Sequence, residues 1–257
     1  MKTATRSRNR STERLVEAHR PVAIAQRLAE PPPPSYLRDW VYGAVDGIVT
    51  TFAVVAGVAG SGLEARVVLI LGLANLVGDG FSMAVANFLG IRSDERRRTR
   101  IRREEERHID LVPEGEREEI RQLLARDGLS GDVLDRATDA VTSDRRRWID
   151  VMMTREHGLS AVGISAFTAA AATFVAFVIA GVVPLAAFLI DTVPGVDVGH
   201  PYVWSVALAA VAFLGVGAAE GAIVDESKAR SAVRTAAVGG AAAALAYVVG
   251  TVVGNLA

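Results

Sequence analysis

The sequence contains no cysteine and only four histidines. Without cysteine the chain can form neither a disulfide bond nor a thiolate metal site, so any metal must be bound through carboxylate, imidazole or thioether groups. No pairing of a nucleophile with a base stands out, which argues against an enzyme. Acidic residues are interleaved with the arginines throughout, which argues against nucleic-acid binding.

Charged residues are scarce in two long segments, 41–91 and 161–257, and are concentrated between them in 92–156. An apolar run of about 20 residues is long enough to cross the hydrocarbon core of a bilayer as a helix. The pattern therefore predicts an all-α integral membrane protein with five transmembrane helices and a helical insertion between the second and the third. The predicted spans are residues 37–59, 66–92, 162–190, 202–220 and 232–256.

The distribution of lysine and arginine predicts how the chain is oriented in the membrane. The N-terminal tail, the insertion and the loop between the fourth and fifth spans are basic, whereas residues 191–201 include neither lysine nor arginine. This predicts a cytoplasmic N-terminus, a cytosolic insertion and a C-terminus outside, in a multi-pass protein of the plasma membrane. The predicted divisions are a cytoplasmic tail (1–34), two transmembrane helices (35–91), a cytosolic domain (92–158) and three transmembrane helices (159–257).

The tail has helical spacing of apolar residues over 11–29, followed by four consecutive prolines at 31–34. One interpretation is an amphipathic helix lying on the membrane surface, and the other is a disordered leader. In either case the prolines stop any helix before the first span.

Two aspartates lie well inside predicted spans, away from the span ends, where a charged group is costly and is therefore a functional-site hypothesis by default. They are Asp46 in the first span and Asp79 in the second. Asp39 lies two helical turns before Asp46 and either belongs with it or is an acidic residue at a helix start. Asn75, Asp79 and Met83 are four residues apart and share one helix face. A carboxylate and a thioether on one face can both bind a transition metal, although methionine in apolar helices usually only packs.

The insertion has the pattern of several short helices with potential metal ligands. Residues 92–108 contain neither glycine nor proline, so the second span is predicted to continue into the insertion as one rod. Ion pairing on solvated faces explains most of the charges, and core packing is the alternative for a methionine pair. Together, however, the carboxylates, a histidine and two methionines predict a site for Fe²⁺, Mn²⁺, Co²⁺ or Zn²⁺ rather than Ca²⁺ or Mg²⁺. The candidate ligands are Glu105, His108, Glu116, Glu119, Met152, Met153 and Glu156.

Eight stretches of the chain follow the order and spacing of one family of membrane proteins. They are Arg38-Asp39, VDGIVTTFAVVAGVAG from Val45, DGFSMAVANFLGIRSDE from Asp79, the glutamate-rich run around Glu105, PEGEREEI from Pro113, WIDVMMTREHGL from Trp148, GVVPL from Gly181 and VRTAAVGGAAAALAYVVG from Val233. In these stretches the chain resembles the vacuolar iron transporter family of plants and yeast and its bacterial relatives. The likeness extends over residues 36–256.

The resemblance implies a homodimer with five spans per chain and a cytosolic metal-binding domain. It further implies that Fe²⁺, or another divalent metal such as Mn²⁺, leaves the cytosol in exchange for protons. The implied pathway positions are Asp39, Asp46 and Met83, and the implied metal-binding positions are Glu105, Glu116, Glu119, Met152, Met153 and Glu156.

Two positions depart from the family's pattern. The plant members have a pathway glutamate where this chain has Asn75, and here Asp79 stands one turn along. The family often has a glutamate where this chain has His108. An imidazole still binds Fe²⁺ or Zn²⁺, but its binding is expected to weaken at mildly acid pH as the ring protonates.

The leading hypothesis is a divalent-metal/proton antiporter of the plasma membrane that exports Fe²⁺ and Mn²⁺ through a pore at a homodimer interface. The metal is then the substrate, and no covalent cofactor is expected. One alternative is a membrane-anchored protein that binds or buffers metal without conducting it. Another is a proton-coupled carrier for something other than metal.

Overall fold

The computed structural model describes residues 15–29, 33–159 and 163–256, and within them the chain is helical, with no β-strand. It divides into two units, residues 1–35 and 36–257. In the first unit, α1 (Pro21–Ala29) has proline in its first turn, where the N–H groups lack helical partners in any case. Of the amphipathic helix predicted over 11–29, residues 11–14 lie outside the described part, 15–18 are helical, and the chain turns at 19–20 before α1 begins.

The second unit contains five helical segments long and apolar enough to cross a membrane, which confirms the predicted fold class. In chain order its helices are α2 (Leu37–Ser61), α3 (Ala65–Leu111), α4 (Pro113–Arg126), α5 (Gly131–Thr142), α6 (Arg145–Val151), α7 (Ala166–Gly181), α8 (Ala186–Asp191), α9 (Pro201–Ile223) and α10 (Lys228–Gly254). The spans are α2, the first part of α3, α7 together with α8, α9 and α10.

The third span is interrupted, whereas the sequence predicted one helix over 162–190. Residue 162 lies outside the described part; α7 ends at Gly181, and a 3₁₀ turn covers Val183–Leu185 before α8. Proline has no N–H and cannot continue α-helical hydrogen bonding, which accounts for the break at Pro184. The Ser205 hydroxyl of α9 donates a 2.6 Å hydrogen bond to the Pro184 carbonyl, so a neighbouring span satisfies a backbone group at the break.

Helix α2 packs against α7 so closely that two of its positions have no room for a side chain. A Cβ atom on Gly43 would lie 2.3 Å from the carbonyl oxygen of Thr173, and one on Gly47 would lie 2.3 Å from that of Phe177. Small residues four apart allow helices to approach closely in a membrane. This contact fixes the helix that carries Asp39 and Asp46 against the third span.

We expect Gly47→Ala to destabilise the protein, because the added methyl group forces two backbones apart. Overpacking of this kind typically costs about 1–3 kcal/mol. Thermal unfolding in detergent measures the effect. Gly78→Ala is the matched control, since a Cβ atom there meets nothing within 4 Å. Equal unfolding temperatures for the two variants would show that the α2–α7 contact is looser than described.

Helix α3 is one unbroken helix of 47 residues, which confirms the predicted rod. At about 1.5 Å per residue it is about 70 Å long, more than twice the roughly 30 Å hydrocarbon thickness of a bilayer. Its charged second half therefore continues beyond the span, where α4, α5 and α6 pack around an apolar cluster. The buried members of this cluster are Ile101, Ile109, Ile120, Trp148, Ile149, Met152 and Met153.

The last helix of the insertion begins and changes form at definite residues. The Asp144 carboxylate accepts a 2.8 Å hydrogen bond from the Arg147 amide and caps α6. After Val151 the backbone widens into a π-helical turn, Met152–Glu156, which the sequence did not predict. Gly158, with φ of +64°, then ends the helix.

Candidate metal site and ion pathway

The insertion brings five potential metal ligands together around one buried carboxylate, Glu105 of α3. In one set Glu105 lies with Glu156 and His157, and in a second set it lies with His108 and Glu116. Within each set the ligand atoms lie within 4.8 Å of one another. Carboxylate oxygens and imidazole nitrogens at such separations can share a divalent cation, and Glu105 is common to both sets.

Histidine nitrogens already contact the carboxylates in each set. The Nε2 atom of His157 lies 2.9 Å from Oε1 of Glu105 and 3.7 Å from Oε2 of Glu156. The Nδ1 atom of His108 lies 3.4 Å from Oε1 of Glu116. These distances require no large movement of the side chains for a cation to replace the imidazole–carboxylate contacts.

Two carboxylate oxygens in this cluster are buried without a partner. Among the described residues, neither Oε2 of Glu105 nor Oε2 of Glu116 has a hydrogen-bond partner, although both side chains are almost fully buried. Leaving a buried acceptor unsatisfied is costly unless a proton, a water molecule or a cation binds it. These two oxygens are the strongest structural indication of a bound cation.

The cluster also perturbs the acidity of its carboxyl groups. Burial, followed by the negative charges of Glu119 and Glu105, raises the pKa of Glu116 from its ordinary value of 4.5 to about 7, against the opposing effect of His108. Burial likewise raises the pKa of Glu156, while His157 acts in the opposite direction. A cation that binds below pH 7 must therefore displace the Glu116 proton.

We expect Mn²⁺ binding to weaken as the pH falls below about 7. In the metal-free protein Glu116 holds its proton up to about pH 7, because its pKa is raised rather than lowered. The apparent affinity should fall by up to about tenfold per pH unit for this one proton. Calorimetric titration of the full chain at several pH values measures it, and Glu116→Gln should bind more weakly but with a shallower pH dependence. An unchanged pH dependence in that variant would rule out Glu116 as the displaced proton's site.

The raised pKa of Glu116 also affects the stability of the metal-free protein. Stability falls as the pH rises, whereas metal binding strengthens. Through Glu116, the folded metal-free protein retains a proton that the unfolded chain releases between pH 4.5 and about 7. Its free energy of unfolding therefore falls as the pH rises through this window. Bound metal offsets the loss, since the cation takes the place of the proton.

Three of the predicted ligands lie outside the two sets. Met152 and Met153 are buried members of the apolar cluster, which matches the core-packing alternative, and their role as ligands stays a prediction. Glu119 is exposed on α4, and its charge bears on Glu116 and Glu156. The sequence predicted four members of the sets: Glu105, His108, Glu116 and Glu156.

The fifth member, His157, was not predicted as a ligand. It follows the π-helical turn, whose wider winding is marked by a 3.3 Å bond from the His157 amide to the Met152 carbonyl. Such turns are frequent at functional sites because they re-aim side chains. The available signal was the acidic–imidazole pair Glu156-His157, which begins three residues after Met153.

In the membrane part, Asp39 is buried and hydrogen-bonded to a second span, which is in turn bonded to a third. Its Oδ1 atom accepts a 2.8 Å hydrogen bond from the Asn87 amide of α3. The same amide nitrogen donates to Oγ1 of Thr173 in α7 at 2.9 Å. The Thr173 hydroxyl donates its own hydrogen to the Ala169 carbonyl at 3.0 Å. Asn87 therefore uses both amide hydrogens to join three spans at the level of Asp39.

Asn87 was also missed by the sequence reasoning. It follows Met83 by four residues and so continues the series of Asn75, Asp79 and Met83. Each step of four turns the series by about 40° around the helix, since α-helices have 3.6 residues per turn. We call these four residues, Asn75, Asp79, Met83 and Asn87, the polar stripe. Asp79 is exposed on the surface of the chain, whereas Asn87 contacts α2 and α7.

We expect Asn87→Leu to lower the free energy of unfolding by about 1–3 kcal/mol, because it removes the hydrogen-bond donor from a buried carboxylate and from the Thr173 hydroxyl oxygen. Thermal unfolding in detergent measures this change. Thr173→Ser retains the acceptor for Asn87 and should unfold close to the wild-type temperature. If Asn87→Leu were as stable as the wild type, the three-span network would contribute nothing to the fold.

The remaining pathway candidates lie further into the membrane. Asp46, Asn75 and Met83 are half-buried, and the Asn75 amide nitrogen has no hydrogen-bond partner among the described residues. Asp79 is exposed on the surface of the single chain. The carboxyl groups of Asp46 and Asp79 lie near enough for their charges to interact. The polar stripe thus runs along α3, and its acidic member, Asp79, is exposed in the single chain.

Several proteins of known name are similar to this chain over most of its length. Vacuolar iron transporter 1 of Eucalyptus grandis is 32% identical over 216 residues, which are 82% of this chain and 84% of the relative. Vacuolar iron transporter 1 of Arabidopsis thaliana is 30% identical over 222 residues, 84% of this chain and 86% of the relative. Vacuolar iron transporter 2 of Oryza sativa subsp. japonica is 31% identical over 212 residues, with coverages of 82% and 85%.

The relatives' names bear on two of the predictions. They are names of transporters, which confirms that the chain is a transporter and not an enzyme. They also correct the predicted location: the relatives are named for the vacuole, so the plasma-membrane location is wrong, while a multi-pass membrane protein is supported. Lysine and arginine distribution reports which side of a bilayer a loop occupies, and it holds no information about which membrane that is.

The model of the VIT family matches residues 37–251. This range begins at the first residue of α2, includes the whole insertion and ends within α10. It therefore contains four spans, most of the fifth, the polar stripe on α3 and the two ligand sets that share Glu105, here called the Glu105 cluster. The chain belongs to the VIT family.

Proposed function

We propose that this protein moves Fe²⁺, and also Mn²⁺, out of the cytosol in exchange for protons. The observation that carries the proposal is the pair of ligand sets sharing the buried Glu105, with two carboxylate oxygens that lack partners. Carboxylate and imidazole ligands suit these metals better than Ca²⁺ or Mg²⁺. The names of the relatives support iron as the substrate.

The insertion is the capture site in this proposal. The basic character of the insertion's membrane-proximal part favours the cytosolic side. The Glu105 cluster binds the cation there and loses the Glu116 proton as it does so. Glu119, Met152 and Met153 remain proposed ligands that a local rearrangement would have to bring to the cation.

The polar residues of α2 and α3 form the pathway. Asp39 is held by the Asn87 amide. Asp46, Asp79 and Met83 continue deeper into the membrane, with Asn75 beyond them. A carboxylate facing lipid is costly, whereas one facing a second copy of the chain can share a cation or a proton with it. The exposure of Asp79 therefore supports a homodimer with the pore at its interface. Protons leaving the Asp46 and Asp79 carboxyls as metal arrives provide the coupling.

The dimer face can be tested directly because the chain has no cysteine. Asp79→Cys introduces a single thiol, and mild oxidation in the membrane should produce a disulfide-linked dimer. Asp94→Cys on the exposed charged half of α3 is the control for random collision. Cross-linking no stronger at position 79 than at position 94 would refute an interface at Asp79.

Transport is tested with purified protein in liposomes, with Mn²⁺ or Fe²⁺ on one side and a pH-sensitive dye on the other. We expect metal flux accompanied by proton movement in the opposite direction and accelerated by a proton gradient. Metal flux that ignores the gradient would exclude antiport. Metal binding without flux would favour the buffering alternative, and proton movement that needs no metal would favour a carrier for another substrate.

A further inference from the structure

The first part of α3 beyond the membrane is strongly basic, and the rest of the insertion is acidic. Residues 92–103 contain seven arginines and two acidic residues, a net charge of +5. Residues 104–158 contain nine arginines and fifteen acidic residues, a net charge of −6 with the histidines neutral. A basic collar, residues 92–103, therefore separates the Glu105 cluster from the membrane.

Most of the exposed arginines in the collar are not used in ion pairs. Arg92 pairs with Glu95 at 2.9 Å and Arg102 pairs with Glu106 and Asp150. Arg96, Arg97 and Arg100 are exposed, and in the described part of the chain none of them forms an ion pair with a carboxylate. Arg96 and Arg100 line one shallow groove with Arg92, Glu95, Thr99 and Arg103. The folded chain leaves these cations available to an external anion.

The collar begins at the membrane surface. The Asn87–Asp39 hydrogen bond sets Asn87 level with the start of α2, where the exposed Trp40 and Tyr42 are typical of the bilayer interface. Arg96 lies about 14 Å beyond Asn87 along the helix, at about 1.5 Å per residue. Helical side chains lean towards the N-terminus of their helix, which for α3 is the membrane side. The guanidinium groups of Arg96, Arg97 and Arg100 are thereby directed back towards the headgroups.

We propose that Arg96, Arg97 and Arg100 form a binding surface for the headgroups of anionic phospholipids. Charge complementarity and proximity favour this partner: basic residues next to a transmembrane helix are attracted to an anionic leaflet over about a Debye length, roughly 8–10 Å. The bound headgroups also neutralise the collar. A bare charge of +5 repels a cation travelling from Glu105 to Asp39, so anionic lipid should favour metal flux; this consequence rests on the proposed function, whereas the lipid binding does not.

The test compares two charge-matched variants of the full chain. R96Q/R97Q/R100Q removes the surface, and R126Q/R136Q/R146Q removes three exposed arginines farther along the insertion. Native mass spectrometry counts phosphatidylglycerol retained from mixed micelles, and thermal unfolding is followed with added phosphatidylglycerol or phosphatidylcholine. We expect the wild type and the distal variant to retain and be stabilised by phosphatidylglycerol. The collar variant should lose up to about fivefold in apparent affinity for each arginine at low salt.

The other outcomes each overturn the proposal. Equal loss in both variants would show a general charge effect, and equal stabilisation by inorganic phosphate would show an anion site rather than a lipid surface. A change in self-association without a change in lipid retention would assign the collar to a second copy of the chain.

R96K/R97K/R100K, which keeps the charge, should restore retention and so separates charge from misfolding.

Flux separates this inference from the proposed function. Mn²⁺ transport is measured in vesicles of phosphatidylcholine alone and in vesicles that also contain phosphatidylglycerol. Faster wild-type flux with phosphatidylglycerol, reduced in the collar variant, supports both proposals. Absence of flux in every lipid refutes transport while the retention measurement still decides lipid binding.

Discussion

Glu105→Gln is expected to abolish tight metal binding, because Glu105 is the ligand common to both sets. Glutamine retains the shape of the side chain but loses its negative charge. Loss of an outer-shell partner alone weakens metal sites by about 10–100-fold, and loss of a shared ligand should exceed that range. Calorimetric titration of the full chain with Mn²⁺ at pH 7.5 measures the affinity and the number of ions bound.

The control and two partial variants sharpen this experiment. Glu104→Gln changes an exposed neighbour on the same turn of α3 and should bind as the wild type does. His157→Ala and His108→Ala should each weaken one set and leave the other. Wild-type affinity in Glu105→Gln, or loss of all binding in His157→Ala alone, would contradict two sets joined by one carboxylate.

Much of the fold followed from features that act locally. Apolar runs of span length set the five transmembrane segments, and the lack of glycine and proline after residue 91 predicted the continuous α3. The break in the third span also has a local cause, at Pro184. The contact at the break could not be predicted from local sequence, because the donor to the Pro184 carbonyl is Ser205 in another helix.

The sequence predicted four of the five members of the two ligand sets, but spacing along one helix explains the proximity of only two of them. Glu105 and His108 are three positions apart on α3, so α-helical periodicity places the two side chains on one face. His157 approaches Glu105 because the π-helical turn re-aims the end of the last helix. Asn87 acquires its role from contacts to α2 and α7, which residue spacing on α3 does not encode.

Metal flux should fall to the level of protein-free vesicles in Asp46→Asn and Asp79→Asn, while Mn²⁺ binding by the insertion is unchanged. Each substitution removes a charge where the low dielectric constant makes it most effective in holding a cation. It also removes a group that can exchange a proton for metal.

The two aspartates make different predictions because their surroundings differ. Asp46 is half-buried within one chain, whereas Asp79 is exposed on its surface. If Asp79 faces a second copy, a dimer of wild-type and Asp79→Asn chains keeps one carboxylate at the interface and should retain partial flux. Asp94→Asn, on the same helix but beyond the membrane, is the control and should transport at the wild-type rate. Full flux in Asp46→Asn would exclude Asp46 from the pathway. Full flux in Asp79→Asn would exclude Asp79 from the pore, and contact with lipid headgroups or water would then account for its exposed side chain.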